Sequence, residues 1–157
     1  AGQLPLERKP VDLSMLLHDA ARDHRPAAMK KQIDFAVEID PAVGAANGDA
    51  RRLRQVVDHL LENSLAYTPG GGRILLHAEG DAERAVIIVS DNGPGMDMAQ
   101  QTAALDRFSR LDEGRNSEPA LGLGLPLARQ FVEAHGGSLS LVSEPGQGTL
   151  VRIELLR

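Results

Sequence analysis

A change of period at residue 69 constrains this chain more than any other feature. From Asp49 to Tyr67, the residues Leu53, Val56, Val57, Leu60, Leu61, Ser64 and Leu65 fall on one stripe when successive residues turn by about 100°, the spacing of an amphipathic helix. After Pro69-Gly70-Gly71-Gly72 that spacing ends. Two apolar runs follow, ILLHA from Ile74 and AVIIVSD from Ala85, joined by the polar turn GDAER, and they predict a hairpin. A helix delivered straight into such a hairpin has to pack on it, because neither can bury its apolar side alone.

The remaining segments repeat this alternation. Leu13, Leu16, Leu17, Ala20 and Ala21 recur at helical spacing from Asp12 to about Ala28, with Asp12 or Ser14 available as a cap. Ile33 to Ile39 (IDFAVEI) alternates apolar and polar residues as a half-buried strand does, and Pro41, Gly44 and Gly48 break it. A glycine-punctuated stretch runs to about Leu121, before a helix that ends at His135 against Gly136-Gly137. Finally SLSLVS and TLVRIEL flank the hairpin loop Glu144-Pro145-Gly146-Gln147-Gly148. The pattern predicts an α/β (α+β) two-layer sandwich, a mixed and mostly antiparallel sheet with its helices on one face. Residues 11–157 read as one domain and 1–10 as a linker from helices that lie upstream.

Composition narrows the partners. The 157 residues are 42% hydrophobic, enough for one buried core without a disulfide framework, and the chain has no cysteine. With 17 Lys and Arg against 22 Asp and Glu the formal charge is −5, which opposes non-specific attraction to nucleic acid and to anionic lipid. No apolar run reaches the roughly 18 to 20 residues of a membrane helix. The opening AGQLPLERKPVDL has neither a starting methionine nor a signal-peptide core, so we expect a cytoplasmic piece of a longer protein.

Three places carry candidate chemistry. On the helix of residues 49–67, His59, Asn63 and Ala66 lie to one side of the apolar stripe with Tyr67 at its edge, so the Asn63 amide can offer its oxygen to a hard cation such as magnesium. An ordinary surface asparagine fits the same position. Asp91-Asn92-Gly93-Pro94-Gly95 closes an apolar strand, delivering a carboxylate that can accept from an exocyclic amine, with glycines that leave room for a flat ring. The same residues also favour a plain strand-ending turn. Gly122-Leu123-Gly124-Leu125-Pro126 leads into a helix whose first turn is expected to hold Pro126, leaving free N–H groups for phosphate oxygens. Arg107, Arg110 and Arg115 precede it as candidate lid cations or as solvated charges.

Their order and spacing are more specific than any one of them. HLLENSLAYTPGGG resembles the N box of sensor histidine kinases, VSDNGPGM the G1 box, DRFSRLD the F box, LGLGLPLARQFVEAHGG the G2 box with its helix, and SEPGQGT the G3 box. The resemblance covers about residues 11–157 and implies the Bergerat ATP-binding fold shared with gyrase, Hsp90 and MutL ATPases. It implies Mg-ATP as the ligand, with Asn63 coordinating magnesium, Asp91 binding the adenine amine and Tyr67 beside the base. Gly93 and Gly95 would shape the adenine pocket, Gly122, Leu123, Gly124 and Leu125 would contact phosphates, Phe108 would anchor the lid with Arg110 nearby, and Thr149 would support the Asp91 end. Glu62 would orient water or assist phosphoryl transfer, and His59 enters the nucleotide site where an asparagine is usual.

Other departures from the family pattern are Ala66, where a Lys or Arg commonly reaches phosphate, and Glu118-Pro119-Ala120-Leu121, where the entry to GLGL is usually glycine-rich; both predict weaker ATP affinity. None of the five histidines stands in an SHELRTPL-like setting, so the phosphoacceptor is expected on separate dimerisation helices of a homodimeric, inner-membrane-anchored parent, with a response regulator as the next partner. The rival expectations are a degenerate ATP domain that serves as a docking module in a pseudokinase, and a serine kinase of the anti-sigma-factor type.

Overall fold

A computed structural model describes residues 6–105 and 119–157, with the side chains of 105 and 119–124 left out of the description. The elements in chain order are β1 (Lys9–Asp12), α1 (Leu13–Lys30), β2 (Asp34–Ile39), a 3-10 turn (Pro41–Val43), β3 (Ala45–Gly48), α2 (Ala50–Tyr67), β4 (Arg73–Gly80), β5 (Arg84–Asp91), α3 (Met98–Leu105), α4 (Pro119–Ala134), β6 (Ser138–Glu144) and β7 (Gly148–Leu156). The expected mixed sheet is present, five strands in the order β2-β4-β5-β7-β6, parallel only between β2 and β4.

Register explains why this sheet has one apolar face. Val37, Leu76, Val89, Val151 and Leu141 form one cross-strand row, and Ile39, Ala78, Ile87, Ile153 and Leu139 form the next. The helices cover that face. Leu13 and Leu17 of α1, Val56, Leu60 and Leu61 of α2, and Leu125 of α4 are all but fully buried within the same core. Each such side chain contributes about 1.5 to 3 kcal/mol by leaving water. Between α2 and α4 the Arg52 guanidinium sits 5.2 Å over the Phe131 ring.

Three expectations are corrected. Ala45–Gly48, taken for a break, is a strand that pairs antiparallel with β1 in a small second sheet. Part of the stretch described only as glycine-punctuated, and given no element, is α3. The third concerns the last helix, which begins at Pro119 and not at the glycines, placing Pro126 inside it. Proline at the first helical position is preset for a helix, and Ala120, Leu121, Leu123 and Leu125 all favour one, so the helix starts before the glycines. Pro126 cannot donate to the Gly122 carbonyl, which is the cost of that extension.

Candidate functional site

Helix α2 is fixed at both ends. At its start the Asp49 carboxylate accepts from the backbone N–H groups of Arg51 (3.1 Å) and Arg52 (3.3 Å), while the Asp49 N–H donates to Nε2 of His135 at 2.9 Å. The Glu7 N–H also donates to Asp49, and these N–H groups hold its carboxyl below the usual carboxylate range. A charged cap here complements the helix dipole. At the other end Lys31 Nζ donates to the carbonyls of Leu65 (2.7 Å) and Ala66 (3.2 Å). The last turn of α2 is thereby held in place over the end of β5.

There a cavity of about 190 Å³ opens between α2, the end of β5, the following loop, α3, α4 and β7. Asn63, Tyr67, Asp91, Gly95, Leu125 and Thr149 all line it, so six expected residues from four separate segments converge. Register supplies the reason: Phe35, Ile74, Asp91, Thr149 and Ser143 form the last inner-face row of the sheet, one row beyond the apolar ones. The core turns polar where the cavity opens. Asp91 is oriented by two donors, the Gly93 N–H at 2.9 Å to Oδ1 and the Ser64 hydroxyl at 3.0 Å to Oδ2. Nδ2 of Asn63, Nδ1 of His59 and Oγ1 of the fully buried Thr68 are buried without a hydrogen-bond partner among the described residues.

The glycines of the first loop also meet neighbouring backbone and side-chain atoms. Gly95 has φ +71°, and a Cβ there would overlap the Glu144 carbonyl oxygen, while a Cβ on Gly148 would overlap the carbonyl of Asp91. The missing side chains admit the β6–β7 hairpin against the loop after β5. Gly146 N–H donating to the Pro94 carbonyl at 2.7 Å closes the same contact. Gly93 does not line the cavity, and its Cβ would face Asp91 Oδ1 and the Tyr67 carbonyl.

Neither His59 nor the exposed Glu62 reaches the cavity wall. Phe108, Arg107, Arg110 and Arg115 lie outside the described residues. Gly122, Leu123 and Gly124 belong to α4, where the N–H groups of Leu123 and Gly124 are committed to helical bonds and are not free donors at a helix start. Sequence reasoning missed Ser64 as the partner of Asp91, the wall residues Met96 and Gln100, and Ser143. Ser64 and Ser143 were detectable, since each is a polar residue at a position where the apolar stripe or strand alternation calls for a hydrophobic one.

Comparison with known proteins decides the family. Residues 48–157 match the histidine kinase-, DNA gyrase B-, and HSP90-like ATPases. The chain belongs to this family. It is 40% identical over 149 residues to the sensor protein DivL of Caulobacter vibrioides, covering 95% of this chain and 19% of DivL. It is 38% identical over 143 residues to the probable sensor histidine kinase TcrY of Mycobacterium tuberculosis, covering 90% of this chain and 30% of TcrY. The chain therefore spans less than a third of either relative. The structure of full-length ShkA in complex with AMPPNP superimposes with a TM-score of 0.82 at 27% identity, over 98% of this chain and 32% of that one. Within the family the chain corresponds to the ATPase domain of sensor histidine kinases. Among the described residues no helix is long and apolar enough to cross a membrane.

Proposed function

We propose that this domain binds Mg-ATP in the cavity beside Asp91 and presents the γ-phosphate to a histidine on separate dimerisation helices, from which a response regulator then takes it. The observation that carries the proposal is the convergence of Asn63, Asp91 and α4 on one cavity. Asp91, already aligned by Ser64 and Gly93, has lone pairs left for the adenine amine. Tyr67 lines the same wall and supplies a face for the base.

Asn63 is the residue that would hold magnesium. Its amide lines the cavity with an oxygen that can ligate a cation and an Nδ2, buried without a partner, that can donate to a phosphate oxygen, and no cluster of three or more His, Cys, Asp or Glu suited to a metal exists among the described residues. That donor set fits a hard cation that takes one protein oxygen and fills its shell with phosphate oxygens and water. When bound, the ion would neutralise the charge of the phosphates. Glu62, exposed one residue earlier, is open to an incoming imidazole and is the candidate carboxylate for orienting water or assisting the transfer. Positioning and charge stabilisation are the main demands of phosphoryl transfer, so the chain needs no covalent intermediate.

A second reading, a docking module that has lost nucleotide chemistry, is favoured by Ala66 and by the helical state of Leu123 and Gly124. Titration calorimetry with an ATP analogue and magnesium separates the two. Binding in the micromolar to sub-millimolar range supports the kinase reading, and absence of heat at about millimolar nucleotide overturns it. Labelling of an added helical hairpin that carries an acceptor histidine, but not of a serine-bearing antagonist protein, then fixes the phosphoacceptor.

A further inference from the structure

The polar row at the open end of the sheet holds a buried hydroxyl to which no role has been given. Ser143, only 9% exposed, has three partners: the Met96 N–H donates to its Oγ at 2.8 Å, its hydroxyl donates to the Gly148 carbonyl at 2.9 Å, and Thr149 Oγ1 lies 2.9 Å away. A serine hydroxyl has one hydrogen and two lone pairs. The Gly148 carbonyl can only accept, so it takes the hydrogen; the Met96 N–H occupies one lone pair. What remains for Thr149 is the second lone pair, and Thr149 must donate to Ser143. Its own hydrogen thus spent, Thr149 presents only lone pairs to the cavity that it lines. Asp91, its neighbour in the same row, is an acceptor as well.

We infer that Ser143 is a specificity-determining positioning residue: by fixing the direction of the Thr149 hydroxyl it makes this end of the cavity an acceptor-only edge, which selects an amino-substituted heterocycle and rejects one with an oxo group there. The inference rests on the nucleotide reading above. An amine has two hydrogens, one for the Asp91 carboxylate and one for the Thr149 lone pairs. An oxo group at the same place meets the lone pairs of Asp91 and Thr149 and leaves those acceptors unpaired, the kind of mismatch that discriminates strongly.

The test is calorimetric titration of the 157-residue chain with ATP and with inosine triphosphate, which replaces the purine amine by an oxo group, both with magnesium. Ser143→Ala releases the Thr149 hydrogen and is expected to cut the preference for ATP by about tenfold, mainly through tighter inosine nucleotide binding. Ser143→Thr keeps the hydroxyl and restores the wild-type preference. In a Thr149→Val background, where there is no hydrogen to release, adding Ser143→Ala leaves the preference unchanged; a merely structural role would move it in both backgrounds. An unchanged preference in Ser143→Ala, or an equal change in both backgrounds, overturns the inference. Wild type that binds both nucleotides equally overturns it too but leaves the nucleotide site standing, whereas wild type that binds neither sinks both. If Ser143→Ala does not fold, hydroxyl-proton NMR of the wild type decides: a Thr149 hydrogen directed at Ser143 supports the inference, and a Ser143 hydrogen directed at Thr149 overturns it.

Discussion

Gly95→Ala tests the interlock between the loop after β5 and the β6–β7 hairpin, and Gly146→Ala provides its control. Both glycines have left-handed backbones, φ +71° and +79°, so alanine suffers the same conformational penalty of about 1 to 2 kcal/mol at either site. Their surroundings differ. A Cβ at Gly146 meets nothing within 4 Å, whereas one at Gly95 overlaps the Glu144 carbonyl oxygen and lies 3.2 Å from the Gly148 oxygen. Those obstacles are backbone atoms, which no rotamer change relieves, so the hairpin must shift at a further cost of about 1 to 3 kcal/mol. Urea unfolding should therefore show Gly146→Ala destabilised by about 1 to 2 kcal/mol and Gly95→Ala by about 2 to 5 kcal/mol. In thermal melts each kcal/mol corresponds to roughly 2 to 4 °C for a domain of this size. Nucleotide affinity should drop further in Gly95→Ala, because the hairpin that moves carries Thr149. Equal destabilisation in the two variants would refute the idea that Gly95 is required by close backbone approach.

Asn63→Ala should abolish the magnesium-dependent part of ATP binding while leaving stability unchanged or slightly raised, since a buried amide nitrogen without a partner costs about 1 to 3 kcal/mol; calorimetry with and without the ion checks the first part, urea unfolding the second. Asp91→Ala should weaken the preference for ATP over GTP, and a preference as strong as that of the wild type would end its adenine role. For His77 the sign runs with acid: hydrogen bonding to Glu79, joined by Glu38 and opposed by partial burial, raises its pKa above the ordinary 6.5. Its contribution to stability is thus complete below about pH 6.5, provided the glutamates are ionised, and is lost as pH rises through the folded value. The gap in urea stability between wild type and His77→Gln should narrow as pH rises above about 6.5, and a gap that widens would contradict the sign.

Much of this architecture was legible from one dimension. The helix ending at Tyr67 and the hairpin of Ile74 and Ala85 were set by period, the Asp12 cap by its capping chemistry, and the chemistry-bearing positions Asn63 and Asp91 by their places at a helix flank and a strand end. These are local properties, decided within about ten residues of chain. The start of α4 was misjudged for the same reason, since two local signals compete there: Pro126 argues for a helix start, while Pro119 with its leucines and alanine argues for an earlier one.

What only the tertiary structure decided is how residues far apart in sequence share a surface. Strand pairing aligned Asp91 with Thr149 and Thr149 with Ser143, and packing of α2 over that row brought Ser64 within 3.0 Å of Asp91. It also decided that Gly95 accommodates a neighbouring hairpin, and that a serine one strand away dictates which way a threonine points its hydrogen. Periodicity says which face a side chain takes; register, fixed by the collective burial of five strands, says which partner waits there.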